Sequence, residues 1–297
     1  MAWSDPDGWL TRAWSPHAST IIITALIVLF VPIILHVLLY HSAPSHTLPS
    51  FLLLGPSGSG KTTLLAHFET SAFRQTHTSQ STTTSRVSLP SSTTPKSDQY
   101  RSVHDPALKS PKNVFVTDTP GHAKLRHVAL ESLKPIQPNA KKATPKFDGI
   151  VFVIDSTAVN PGTSALEQTA EYLHDVLLLL QKRHTRAKTS RHPPATPVLI
   201  AANKADLFTA LPADMIRKGL ESEIERIRQS RRKGVLTVGS TEEERDDERE
   251  EEWLGEGGDG AFEFEMMRES DVKVDVVGGS ASTGDVTGWW EWIANQM

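Results

Sequence analysis

Apolar positions fall into two kinds of run, and the difference in length separates a membrane-type segment from an α/β unit. Ile21 to Tyr40 is a stretch of 20 residues without Asp, Glu, Lys or Arg. As a helix it would measure about 30 Å, the thickness of a bilayer's hydrocarbon core. The pattern predicts a transmembrane helix over 21–40. Pro32 and His36 are tolerable there, and Trp14 and Tyr40 suit the interfacial belts. A cleaved signal peptide or a buried core helix would normally be shorter or more interrupted by polar residues. Arg12 is the only Lys or Arg before the run and Lys61 the next after it, so charge does not set an orientation. Phe51–Leu54, Val114–Thr117, Ile150–Ile154 and Pro197–Ala202 are short apolar runs of strand length. Leu166, Ala170, Leu173, Leu177 and Leu180, and then Leu220, Ile224 and Ile227, recur every three or four residues, as one face of a helix does. Strands alternating with such helices predict an α/β fold with a mostly parallel sheet. Trp289, Trp290, Trp292 and Ile293 predict a packing helix at the end of the chain.

The resulting division is a short segment at 1–20, a span at 21–40, a Pro-containing tether at 41–49 and one α/β domain at 50–297. Two segments stand out from it. Between Thr76 and Ser97, 14 of 22 residues are Ser or Thr, which offers little apolar area and predicts a mobile inserted loop at about 76–97. Between Glu242 and Glu252, nine of eleven residues are acidic. With the Gly-rich stretch after it, this predicts a solvated insertion at about 233–260, or an acidic arm for a basic partner.

Composition removes several chemistries. There is no cysteine, hence no disulfide framework, thiolate metal site or cysteine nucleophile. A net charge of −4 argues against direct nucleic-acid binding of the electrostatic kind.

What remains is phosphate chemistry. Phe51–Leu54 leads directly into Gly55-Pro56-Ser57-Gly58-Ser59-Gly60-Lys61-Thr62, a complete G-x-x-x-x-G-K-[ST] loop, with Thr63 opening a helical stretch. Such glycines let backbone N–H groups turn toward phosphate oxygens, and the helix N-terminus adds its dipole. Lys61 reaches the outer phosphates, and the Thr62 hydroxyl can ligate Mg²⁺. This loop alone leaves adenine or guanine, and hydrolysis or transfer, open. The second apolar strand delivers Asp118-Thr119-Pro120-Gly121-His122. An Asp at a strand end can hold Mg²⁺ through water, while the Gly121 N–H can meet a γ-phosphate present only before hydrolysis. Pro197–Ala202 ends in Asn203-Lys204-Ala205-Asp206. The Asp206 carboxylate can accept from both the ring N–H and the exocyclic amine of guanine, a donor pair adenine lacks on that edge. The Lys204 stem would cover the base and Asn203 would tie this loop back to the first.

In order, spacing and residue types these motifs resemble a Ras-type small GTPase, and more narrowly the family of signal recognition particle receptor β subunits. The span before the phosphate loop, the segment Phe73-Arg74-Gln75-Thr76-His77-Thr78-Ser79 and the run D-x-P-G-H with Leu125-Arg126 are similar to that family. So are Phe262-Glu263-Phe264 followed by Val272-Lys273-Val274, which the resemblance makes the family's last strand, and Ser280-Ala281, its guanine-side loop. The resemblance implies a P-loop, Ras-like domain binding GTP or GDP with Mg²⁺, in the cytosol behind a single-pass endoplasmic-reticulum anchor. It implies a GTP-dependent grip on the receptor's α subunit, with ribosome or translocon reached only indirectly. It places Thr78 at Mg²⁺ and the γ-phosphate, and Ser280 and Ala281 beside guanine. Ser282 departs from the family's lysine in that last loop. His122 stands where Ras-like enzymes carry a water-orienting Gln; it serves only if its ring faces the nucleotide, and otherwise turnover is slow or partner-dependent. An Arf- or Sar-like trafficking GTPase is the alternative. Such proteins attach by an amphipathic or lipidated N-terminus, whereas this chain has an apolar run and Ala2 where myristoylation needs Gly.

Overall fold

A computed structural model describes residues 18–41, 48–98, 111–133, 147–186, 195–237, 254–255 and 260–297. Two units result, one ending at Thr47 and the other running from Leu48 to Met297. The first holds helix α1, Ala18–His41, with Pro32 inside it. Its side chains from Ile21 to His36 are exposed. Among the described residues no helix is long and apolar enough to cross a membrane. The expected 1–20 segment and 41–49 tether lie largely outside the described residues, as does most of the acidic insertion.

The second unit is a six-stranded sheet in the order β2-β3-β1-β4-β5-β6. Its strands are β1 (Ser50–Leu54), β2 (Thr83–Ser88), β3 (Asn113–Asp118), β4 (Gly149–Asp155), β5 (Val198–Asn203) and β6 (Val274–Gly278). All pairings are parallel except β2 on β3. The helices between are α2 (Lys61–Thr70), α3 (Arg126–Leu133), α4 (Ser164–Arg186), α5 (Ala213–Thr237) and α6 (Thr287–Asn295). The four apolar runs read from sequence are the four central strands; β1, β4 and β5 are buried on both faces as parallel strands are, while β3, next to the edge strand, alternates and leaves Phe115 exposed.

Alternation along β1 shows how the core divides. Leu52 and Leu54 join Phe152, Leu173, Leu177, Leu220 and Ile224 under α3, α4 and α5. Phe51 and Leu53 face the other way, toward Leu64 and Phe68 of α2 and the tryptophans of α6. In α6, Trp289 donates its indole N–H to the Val277 carbonyl at 3.0 Å and Trp292 donates to Asp275 at 2.9 Å. Trp290 lies on Phe68, ring centres 4.1 Å apart. The tryptophans therefore close the sheet.

The Ser/Thr-rich segment corrects the sequence reading. Thr83–Ser88 is not an inserted loop but edge strand β2, registered from Thr83 opposite Asp118 to Ser88 opposite Asn113. Only Val87 of this strand is buried, so an edge strand of β-branched threonines carries almost no apolar signal. The predicted last strand is likewise shorter. Phe264–Ser270 is a 3₁₀ helix and β6 begins at Val274. Phe262 and Phe264 are buried instead, their N–H groups bonded to Glu225 and Glu221 of α5, each at 3.0 Å. Of the acidic insertion, α5 continues through its start to Thr237, and Leu254 is buried with Gly255 N–H on Gln181 at 2.8 Å.

Candidate nucleotide site

Parallel register decides where the chemistry collects. Leu53 pairs with Asp118 and Asp155 with Asn203, so β1, β3, β4 and β5 release their loops at one edge of the sheet, where open α/β sheets hold ligands. The loop after β1 turns through Gly55 and Gly58 and enters α2 from Gly60, all three with positive φ. Gly60 is an unusual helix cap, left-handed and with no side chain to bond the first turn; the free N–H groups of α2 face outward, as an anion requires.

Lys61 is 5% exposed. Its ammonium donates to the Gly55 and Pro56 carbonyls, each at 2.8 Å. Burial lowers its pKa to about 8, against the attraction of Asp118, and Arg126 lowers it further. The Thr62 hydroxyl donates to Asp118 Oδ2 at 2.7 Å. Asp118 is pushed above the usual carboxylate range by burial, opposed by bonds from Thr62 and Ser79 and by the Lys61 charge. Its other oxygen, Oδ1, is buried without a protein partner. Gly121 lies so close that a Cβ there would collide with Lys61 Nζ and with the backbone of Gly55 and Pro56.

A cavity of about 500 Å³ opens over these groups, with Ser57, Gly58, Thr63, Thr78, His122 and Lys124 among its lining. This donor set fits a nucleotide's phosphates and a hard divalent cation. A buried ammonium and a helix start face the cavity, an orphaned carboxylate oxygen adjoins a hydroxyl, and glycine stands where a γ-phosphate needs room. Among the described residues no three His, Cys, Asp or Glu side chains cluster for a metal, as expected where phosphate and water supply most ligands.

Two residues of the first switch segment were not distinguished by sequence. Thr78 lines the cavity but its side chain is exposed. Ser79, half-buried, is near enough to Asp118 to lower its carboxyl, while Thr76 meets Thr63, hydroxyl to hydroxyl, at 2.8 Å. In a run so rich in hydroxyls, spacing alone does not say which one the strand register turns inward. His122 is exposed and caps a short 3₁₀ turn, its Nδ1 accepting the Lys124 N–H at 3.3 Å. With Nδ1 an acceptor, the neutral ring carries its proton on Nε2.

At the other end of the cavity, Asn203 ties two loops together. Its Nδ2 donates to the Ser59 carbonyl at 2.8 Å, and its Oδ1 accepts from Ala281 N–H at 3.0 Å and Lys204 N–H at 2.9 Å. The Lys204 ammonium pairs with Asp155. Burial raises the Asp155 carboxyl, but that partner and Thr157 together hold it below its ordinary value. Asp206 is exposed, with Ser282 Oγ 3.5 Å from both of its oxygens. Ser280 is buried, and its hydroxyl accepts from the Ser282 N–H at 3.3 Å. Pro56, Ser57, Gly58 and Ser59 complete the phosphate loop, and Ser59 Oγ is a further buried atom without a partner.

Residues 46–272 match the family model described as signal recognition particle receptor beta subunit. The chain belongs to that family. The match stops before Ser280 and Ala281 and begins after α1. Signal recognition particle receptor subunit beta of Saccharomyces cerevisiae is 30% identical over 249 residues, 84% of each chain. The human subunit is 29% identical over 190 residues, 64% of this chain and 56% of its own length. Among solved structures, the SRb-GTP/SRX complex from Chaetomium thermophilum is 34% identical with a TM-score of 0.64, covering 83% of this chain and 99% of that one. SRb-GDP-Mg from the same organism is 37% identical with a TM-score of 0.59, covering 86% of this chain and all of the other.

Proposed function

We propose that this protein is a membrane-anchored GTP switch, the β subunit of the signal recognition particle receptor, which holds the α subunit at the endoplasmic reticulum while GTP is bound. The observation that carries this reading is the joint placement of Lys61, the Thr62–Asp118 pair and Gly121 around one cavity. Asn203 fastens that phosphate end to the loop bearing Asp206.

In this reading the amides of Gly58 to Thr62 and the Lys61 ammonium bind the β and γ phosphates, Lys61 exchanging the Gly55 and Pro56 carbonyls for phosphate oxygens. Mg²⁺, when bound, neutralises charge between those phosphates. Thr62 would hold it with Asp118 behind, and Thr78 or the neighbouring Ser79, both lining the cavity, would supply a second hydroxyl. The Gly121 N–H reads the γ-phosphate, so the following turn is ordered in one nucleotide state and released in the other. Asp206 selects guanine, the Lys204 stem covers the base, and the backbone of Ser280 and Ala281 closes its far side. His122 Nε2–H serves as a donor to the attacking water or γ-phosphate, a weaker arrangement than a Gln that both accepts and donates, so intrinsic turnover is slow. A relative solved as a complex with SRX supports a partner that reads these switch segments. The 20-residue uncharged run on α1 supports a single-pass anchor, with the domain in the cytosol where GTP is.

The test is a titration of the full chain in detergent with labelled GTP, GDP and ATP, beside Asp206→Asn. Tight guanine binding that the substitution weakens by about 100-fold or more is expected, because a carboxamide presents a donor to one guanine donor. Equal affinity for ATP and GTP would overturn the assignment.

A further inference from the structure

Beside the phosphate loop lies a group of residues for which the mechanism above has no use. Tyr172 of α4 is fully buried, packed edge-on against Phe152 of β4 with ring centres 5.4 Å apart. Its phenol oxygen adjoins the Gly55 N–H without completing a well-formed hydrogen bond. On its ring face sits the guanidinium of Arg126, the first residue of α3, 4.8 Å from the ring centre. Arg126 is half-buried, its Nε is buried without a partner, and no carboxylate pairs with it among the described residues. Its charge is felt at Lys61 and adds to the depression of the lysine pKa.

An arginine held by an aromatic face, rather than by an acid, keeps its full positive field. An acidic partner would have cancelled that field at the phosphate site, whereas the ring fixes the cation's place and leaves its charge unspent. Lys61 and Arg126 repel each other in the empty site. The anion best able to relieve that repulsion is the one with the most charge at Lys61. A triphosphate carries one more charge than a diphosphate, and carries it at the γ position nearest Gly121 and the switch turn that leads into α3.

We propose that Arg126, stacked on Tyr172, is a positioning residue that fixes a second cation behind Lys61 and biases the site toward a nucleoside triphosphate over a diphosphate. It acts through the field at Lys61, not by touching phosphate. This rests on the GTP-switch reading and adds to it a reason for the two nucleotide states to differ in affinity. Because α3 supplies the arginine and α4 the ring, the same stack joins the start of α3 to α4.

The experiment measures dissociation constants for GDP and a non-hydrolysable GTP analogue, with Mg²⁺, on the full chain in detergent at two salt concentrations. Arg126→Met is expected to weaken the triphosphate analogue about tenfold and GDP less than about threefold, as loss of one charge at partly screened range implies. Arg126→Lys restores most of the ratio, and Tyr172→Leu lowers it by freeing the guanidinium into solvent. Arg126→Gln gives an independent neutral variant should the methionine form not fold. The ratio between the two affinities is the readout, since a merely structural role would move both together. Equal losses for both nucleotides, or no change in either, would overturn the proposal. A wild-type chain that binds neither guanine nucleotide would instead overturn the GTP-switch reading itself.

Discussion

Lys61 and Asp118 each hold a charge where burial disfavours it, the lysine lowered to about 8 and the aspartate raised. Without nucleotide these shifts weaken the fold, and their signs can be worked out. A carboxyl whose folded pKa is raised costs stability fully at neutral pH; the cost disappears as pH falls through the raised value toward the ordinary one. Asp118→Asn is therefore expected to raise the melting temperature of the nucleotide-free chain at pH 7 by ~2–4 °C, for about 1 kcal/mol relieved in a domain of this size. The gain should shrink on acidification, while Mg²⁺-dependent nucleotide affinity falls. Calorimetry at pH 7 and below checks this, and a lower melting temperature for the variant at pH 7 would refute it. At this scale most of the site was legible beforehand. Lys61, Thr62, Asp118, Gly121 and Asn203 sit where their motifs imply, because a phosphate loop and a strand-end Asp are local patterns with fixed geometry. The stack of Arg126 on Tyr172 was not, since it arises from which side chains the tertiary fold turns toward one another.

Among the elements, the short turn after β3 ties stability to chemistry. His122 caps it through Nδ1, and that bond leaves only Nε2–H to act. Replacing it by Ala removes both the cap and the donor. His122→Ala is expected to slow single-turnover GTP hydrolysis at least about tenfold, the low end for loss of one positioned catalytic group, with GTP affinity within about threefold of wild type. An unchanged rate in a phosphate-release assay would leave His122 as a cap and nothing more. The long, periodic elements α4 and α5 and the four central strands were readable from the spacing of their apolar residues. Strand β2 escaped notice because an edge strand that buries Val87 alone has no alternation to show. The strand that the resemblance implies at Phe262 does not form, because the amides of Phe262 and Phe264 are bonded by Glu225 and Glu221 of α5 and not by a neighbouring strand.

For the whole molecule, the proposed function assigns separable tasks to α1 and the nucleotide domain. A chain lacking residues 1–47 is expected to keep guanine binding and to lose membrane attachment. Carbonate extraction of membranes bearing the full and shortened chains checks this; a full chain released by carbonate would refute an integral anchor. The chain enters the domain at the N-terminal end of β1, the end opposite the loops that form the site. There Ser50 N–H bonds the Asp148 carboxylate at 2.9 Å, and the Pro49 carbonyl accepts from Phe115 at 2.8 Å. Strand β1 lies in the middle of the sheet, between β3 and β4. A pull arriving through residue 48 therefore runs along the axis of a strand gripped on both sides, loading two parallel ladders in shear at once, where an edge strand would unzip bond by bond. Such a load would meet the β1–β3 and β1–β4 ladders before it reached Gly55, and they would shield the phosphate loop from it.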